Sequence, residues 1–291
     1  MSAVSESIAQ RVTLGMLVER YGFEVDPPFA TNVTITSLSD AVDTVIPGSL
    51  FICTHEQEPD VLHAAQAGAY AALLPRASKG QITNADIPLL YGDFDDRVLG
   101  DLASGLAGGP SNAMAVFAVT GADEQAVDAG VSQLSEFLHM LGNPVGVISS
   151  SDSQSLERFL NLEYPLSAID VQRTMAVCAE DDAAAVILAL DEETLREDAL
   201  QSVSVDVLAC DDNGLIDAEV AKLVAKFGCA VGKQTRIAGR TQESDLLAAQ
   251  AATAYGQTDS RSLSLSIAMV LAAGVRKANI KSALRVSRDL N

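Results

Sequence analysis

The sequence predicts an α/β protein in two parts: a small mixed α/β N-terminal domain over residues 1–110, then a central domain over 111–291 with a mainly parallel sheet flanked by helices. Three observations carry this. Beyond residue 111, apolar runs of four to seven residues take turns with segments of helical spacing, the pattern of parallel strands buried on both faces. "GGPSN" (108–112) is a cluster of turn-forming residues where a boundary belongs. A chain of 291 residues is also long enough for two domains, since single cores usually stop growing at about 250–300 residues.

The elements follow in order. Ile8, Val12, Leu14, Leu17 and Val18 have helical spacing and Gly22 is a stop, which predicts a helix over 5–22. "NVTITSLSD" (32–40) alternates like a strand, and "PGSLFICT" (47–54) is a turn feeding a buried strand. "DVLHAAQAGA" is a helix ending at Gly68, and "YAALLP" is a strand closed by Pro75. The strand "IPLLYGD" and the helix "DDRVLGDLASGLAG" complete the first domain. The second reads as strand "AVFAVTG", helix 124–142, strand "PVGVISS", helix 168–181, strand "AAAVILAL", helix 192–200, strand "VDVLAC", helix 217–227 and strand "CAVG". Residues 241–290 form alanine-rich helices divided by Gly256 and Gly274, whose small residues suit close packing within the fold or across a homodimer.

Composition excludes several classes. Thirty-nine acids against 19 bases give a formal charge of −20, a field that repels phosphate backbones and anionic lipid, so nucleic acid is not expected as a partner. The same field works against an anionic nucleotide unless a local basic pocket offsets it, and no Lys/Arg cluster is visible in the sequence. No apolar stretch reaches the roughly 18–20 residues of a membrane span, and "MSAVSESIAQR" lacks the pattern of a secretion signal, so no membrane insertion and a cytoplasmic location are expected. Cys53, Cys178, Cys210 and Cys229 have no paired spacing and are read as reduced, mostly buried thiols.

The stretch "AVFAVTGADEQAVDAG" (115–130) begins like a phosphate-binding loop, a buried strand ending in Thr120-Gly121 ahead of a helix. Such a loop needs a second glycine so that backbone N–H groups can close on phosphate, a lysine to neutralise it, and a hydroxyl for magnesium. Here Gly121, Ala122 and Asp123 are followed by Glu124, Gln125 and Ala126, which supply none of the three. Asp123 and Glu124 suit the positive end of the following helix, which is thereby filled by its own side chains.

Read together, these segments resemble a Mur ligase of the MurE type, which adds an amino acid to UDP-linked muramyl peptide in bacterial cell-wall synthesis. The resemblance is carried by "VIPGSLFICTHEQEPDVLHAAQAGAYAALLP", "LASGLAGGPSNAMAVFAVTG", "SAIDVQRTMAVCAEDDAAAVILAL" and "TDSRSLSLSIAMVLAAGVRKANIKSAL". It covers nearly the whole chain and stops at the end of the family's central domain, where members continue into a third domain and this sequence reaches Asn291. On the family's Gly-Thr-Asn-Gly-Lys-Thr loop this chain reads Gly121 to Ala126. The family's magnesium glutamate falls at Ala189, with Asp191, Glu192 and Glu193 close by. The family's "FTNLxxDHLD" segment falls on "CDDNGLIDAE", its carbamylated lysine near Lys222 or Lys226, and its uridine-side Asp-Ser-Arg on Ala41, Val42 and Asp43.

The resemblance therefore implies an inherited fold without the ligase chemistry: a pseudoenzyme with no catalytic residues, no cofactor and no metal, acting through protein partners in cell-wall synthesis, growth or division. Two alternatives stay open, a sensor or carrier of a UDP-sugar peptide held between the domains, and a ligase subunit completed by a partner. Other clusters have plainer readings. Cys53, His55 and His63 lack a fourth ligand for a structural zinc site. Asp181-Asp182, Asp191-Glu192-Glu193 and Asp211-Asp212 read as caps and turns rather than cation sites. Ser149 to Ser151 have no histidine nearby in sequence, and His139 stands alone on its helix.

Overall fold

The computed structural model describes residues 12–53, 58–82, 84–210, 217–255 and 260–290. The chain divides into two compact units, Met1–Gly109 and Pro110–Asn291. In the first, β1 (Val12–Thr13) leads into α1 (Leu14–Tyr21), followed by β2 (Glu24–Asp26), β3 (Thr34–Ile35), β4 (Ser37–Ser39) and β5 (Ser49–Ile52). Then come α2 (Glu58–Ala67), β6 (Ala71–Pro75), β7 (Leu89–Gly92) and α3 (Asp96–Leu106). Five strands form one sheet in the order β2-β7-β6-β5-β4, parallel except for β2, while β1 and β3 pair separately. Phe51, Ala72, Leu74 and Tyr91 pack with Val61 and Ala64 of α2 in one buried cluster, and Leu50, Ile52, Ala71 and Leu73 on the alternate positions are buried too, as the buried strand read from "PGSLFICT" requires.

Two expectations change here. The helix read over 5–22 begins only at Leu14, because the Thr13 side chain accepts the Met16 N–H as an N-cap and Val12 pairs with Ile35 instead. Its stop holds: Gly22 caps α1 in the left-handed conformation, φ 70°. Residues before 12, including Ile8, lie outside the described residues. "NVTITSLSD" is two strands in two sheets, since β3 pairs with β1 and β4 with β5.

The second unit comprises β8 (Ala115–Thr120), α4 (Glu124–Met140), β9 (Val145–Ile148), β10 (Gln154–Ser155), β11 (Arg158–Phe159), α5 (Ala168–Glu180), β12 (Ala185–Ala189) and β13 (Val207–Cys210). After them come α6 (Asp217–Phe227), β14 (Arg236–Ala238), α7 (Gln242–Tyr255), α8 (Ser260–Ala272) and α9 (Lys277–Leu290). Its seven-stranded sheet has the order β11-β10-β9-β12-β8-β13-β14, parallel from β9 to β14, with β10 and β11 as an antiparallel edge.

Strand parity assigns the two faces. Phe117, Val119, Val145, Val147, Ile187, Ala189, Val207 and Ala209 share a core with α4, α8 and α9. Val116, Ala118, Ile148, Val186, Leu188 and Leu208 point the other way, into a second core with Val171, Met175 and Cys178 of α5. Both faces are covered, which is why the strands read as unbroken apolar runs.

The predicted helix over 192–200 is a run of turns: Leu195 makes a parallel bridge to Leu166, and Asp198 takes φ 58°, outside the helical range. "CAVG" contributes only the isolated bridge of Ala230 to Ser204, and the edge strand is β14 instead. The β10–β11 hairpin was not foreseen; its strands are two residues each and polar apart from Phe159. Gly256 lies outside the described residues.

Cys53, Cys178 and Cys229 are buried thiols, and Cys210 is partly exposed. Burial pushes the Cys178 thiol up to about 11 and raises that of Cys229. In native protein at about pH 8, iodoacetamide should therefore modify Cys210 first and leave Cys178 and Cys229 intact until denaturant is added. Peptide mapping by mass spectrometry reads the order.

Candidate functional site at the C-terminal edge of the second sheet

Parallel strands end together, so the chain segments leaving β8, β9 and β12 meet at one edge, the usual place for a ligand in such a sheet. β8 delivers Thr120 and Gly121. A Cβ at Gly121 would sit 3.0 Å from the Ala126 side chain and 3.1 Å from the Val127 nitrogen, so glycine lets the turn fold back onto α4. Gly130 acts similarly one face further on, where a Cβ would lie 2.9 Å from Val119 and hold helix and strand apart.

Asp123 is the N-cap of α4: its Oδ1 accepts the Ala126 N–H at 2.9 Å, and its carbonyl accepts the Val127 N–H at 3.1 Å. Glu124 stands in the first turn, and Glu124 and Gln125 are exposed. The helix terminus that would face a phosphate is thus occupied by a carboxylate of the same chain, and it gains the usual stabilisation of negative charge at the positive helix end.

Around this turn lies a network the sequence did not announce. Asp128, one turn into α4, accepts hydrogen bonds from Ser149 Oγ (3.2 Å) and Ser151 Oγ (2.7 Å). Ser153 Oγ accepts from the Ser149 N–H at 3.0 Å and from Tyr164 Oη at 2.6 Å, and burial raises the Tyr164 phenol above its usual range. The Ser150 N–H donates to Thr194 Oγ1 at 2.9 Å, and the Thr194 N–H donates to Asp191 Oδ1 at 2.7 Å. Ser150 Oγ and Asp191 Oδ2 are buried without a hydrogen-bond partner. Asp128 and Thr194 had no sequence signal, because each acts through a loop distant in the chain.

The structure separates the remaining candidates. Ala189 is fully buried in β12, in register with Val119, so no side chain from this position reaches a ligand. Asp191 turns toward Thr194, while Glu192 pairs with Lys226, whose ammonium holds that carboxyl below its ordinary range. Lys226 is therefore spent on a surface pair and also lies 5.3 Å from the Phe227 ring, and Lys222 is exposed on α6. Ala41 precedes a short turn whose carbonyl is taken by Ser39 and Thr44 hydroxyls; Val42 and Asp43 lie in that turn. His139, in the last turn of α4, lines a cavity of about 720 Å³ with Pro144 and Leu156, beside the start of β9 and so at the opposite edge of the sheet. Cys53 is buried and His63 exposed, and His55, Asp211 and Asp212 lie outside the described residues. Asp181 accepts from Ser155 Oγ and pairs with Arg158, while Asp182 takes φ 63° in the turn after α5. Among the described residues no group of three or more His, Cys, Asp or Glu could hold a metal ion. Nor is any helix among them long and apolar enough to cross a membrane.

No protein-family model matches the sequence, and no curated protein matches it. Solved structures do. Crystal structure I of MurF from Acinetobacter baumannii matches with a TM-score of 0.57 at 12% identity, over 95% of this chain and 68% of that one. A UDP-N-acetylmuramoylalanyl-D-glutamyl-2,6-diaminopimelate--D-alanyl-D-alanyl ligase from the same organism gives 0.54 at 11% identity, over 96% and 69%. A UDP-N-acetylmuramoyl-L-alanyl-D-glutamate--2,6-diaminopimelate ligase matches over 69% of this chain at 15% identity and a TM-score of 0.47, and the present chain spans 40% of its length. At these identities the likeness is one of fold: the chain has a Mur-ligase-like α/β fold with parallel-rich sheets.

Proposed function

We propose that this protein is a catalytically inactive relative of the Mur ligases that works by binding protein partners in peptidoglycan synthesis or in cell growth and division. One observation carries the reading: the α4 N-terminus is capped by Asp123 within the Gly121–Ala126 turn, and that turn has no lysine, second glycine or hydroxyl. Transfer of a phosphoryl group depends almost entirely on positioning and charge neutralisation, so a carboxylate in place of those groups opposes the reaction at its first step. Ala189 adds to this, since the strand end that would offer a magnesium carboxylate offers a buried methyl group. Purified protein with ATP and magnesium should release no phosphate above a buffer control, and ATP should produce no heat of binding in calorimetry. Release well above the control overturns the proposal.

A second reading, a sensor or carrier of a small polar ligand, is favoured by the buried, unpaired Ser150 Oγ and Asp191 Oδ2, because orphaned polar atoms ordinarily have a partner. UDP-linked muramyl peptides at about a hundred times their dissociation constant would stabilise the protein by roughly 2.7 kcal/mol. A thermal shift that disappears in Asp191→Asn supports this reading, and an unchanged melting temperature at millimolar ligand removes it.

A further inference from the structure

Residues 233–291 carry nine bases and four acids, a net charge of +5, while the first 232 carry ten bases and 35 acids, a net charge of −25. The bases form no run in sequence, but α9 gathers them: Lys277, Lys281 and Arg285 recur every fourth residue and so share one line along the helix. Ile280 and Leu284, at 0% and 7% exposure, turn α9 into the core and leave this line in solvent. Lys277 pairs with Glu243 of α7. Among the described residues Lys281 and Arg285 have no carboxylate partner, although the chain holds twice as many acids as bases. Like charges at this spacing cost a few tenths of a kcal/mol per pair. Two large apolar side chains are exposed on the same two helices: Val286 on α9, 58% exposed, and Leu246, one turn past Glu243 on α7, 63% exposed.

We propose that the outer face of α9 with the adjoining edge of α7 is a docking surface for an acidic amphipathic helix of another protein, whose carboxylates meet Lys281 and Arg285 and whose apolar line meets Val286 and Leu246. Charge complementarity selects this occupant. Screening over about 8 Å at physiological salt shields a short segment seated on α9 from the acidic remainder of the chain. Double-stranded nucleic acid, with a charge every ~1.7 Å, extends past the patch into that negative remainder. A second copy brings a further −20 of its own. An anionic membrane needs a broad apolar helix face to bury, and the apolar side of α9 is already used by Ile280 and Leu284. The surface is separate from the sheet edge discussed above, so its failure and the detection of ligase activity are independent results.

Fluorescence anisotropy of the full chain tests this with a labelled model helix bearing glutamates at every fourth position beside a line of leucines, and with the same helix carrying lysines instead. The acidic helix should bind, weaken with added salt, and lose about tenfold or more affinity to Lys281→Glu/Arg285→Glu, while the lysine helix should not bind. Lys281→Ala/Arg285→Ala, which removes charge without reversing it, should lose less, and circular dichroism confirms that both variants fold. The inference is overturned by no binding of the acidic helix, by equal binding to the charge-reversed variant, by stronger binding to phosphatidylglycerol vesicles or duplex DNA, or by sedimentation showing self-association through Lys281 and Arg285.

Discussion

Phe137→Ala should lower the stability of the second unit by about 3–5 kcal/mol, the range for truncating a fully buried aromatic side chain. Phe137 is 0% exposed on α4 and belongs to the cluster of Leu134, Leu138, Val145, Ile187, Leu265 and Met269. No neighbour in this cluster can move in without leaving its own contacts, because helix on one side and strand on the other fix the backbone. Urea unfolding followed by circular dichroism measures the loss. A change under about 1 kcal/mol would mean that this face of the sheet is not the packed core described here.

Gly146→Ala should also destabilise the second unit, for the opposite reason. A Cβ at Gly146 would meet Cys178 Sγ at 2.4 Å and its Cβ at 3.1 Å, in the middle of a strand paired on both sides. Overpacking of this kind typically costs about 1–3 kcal/mol. Cys178→Ala removes the nearer atom, so the double variant should recover the larger part of the loss, and a double-mutant cycle isolates that coupling. Additive losses would show that the strand, rather than the thiol contact, sets the cost.

Much of this fold is legible in the sequence, for reasons that differ by element. β8, β9 and β12 are buried on both faces and so declare themselves as apolar runs, and α5 is announced by a reciprocal Ser167–Asp170 capping box. The segment 192–200 misleads because Leu195 and Ala199 stand four residues apart, a helical spacing, while the burial of Leu195 and Leu200 comes from loop contacts: a bridge to Leu166, and a hydrogen bond from the Leu200 N–H to the Phe227 carbonyl. Strands of two or three residues, such as β10, β11 and β14, are too short for any period to show. At the sheet edge the Asp123 cap follows from its position before the helix, whereas the Asp128–Ser149–Ser151 cluster depends on two strand ends arriving together, which no local pattern encodes.

The placement of α8 bears on how the protein is made. Every residue from Ser262 to Val270 is buried, and with Ile280 and Leu284 this helix closes the face of the sheet that bears Phe117 and Val119. On a ribosome α4 covers part of that face early, but the part that α8 and α9 close stays open until the chain has been synthesised past residue 284, long after α5 has become available to the other face. The first unit can mature during translation, whereas the second must hold a partly covered apolar sheet until α8 and α9 have been made, the kind of exposure that invites chaperones.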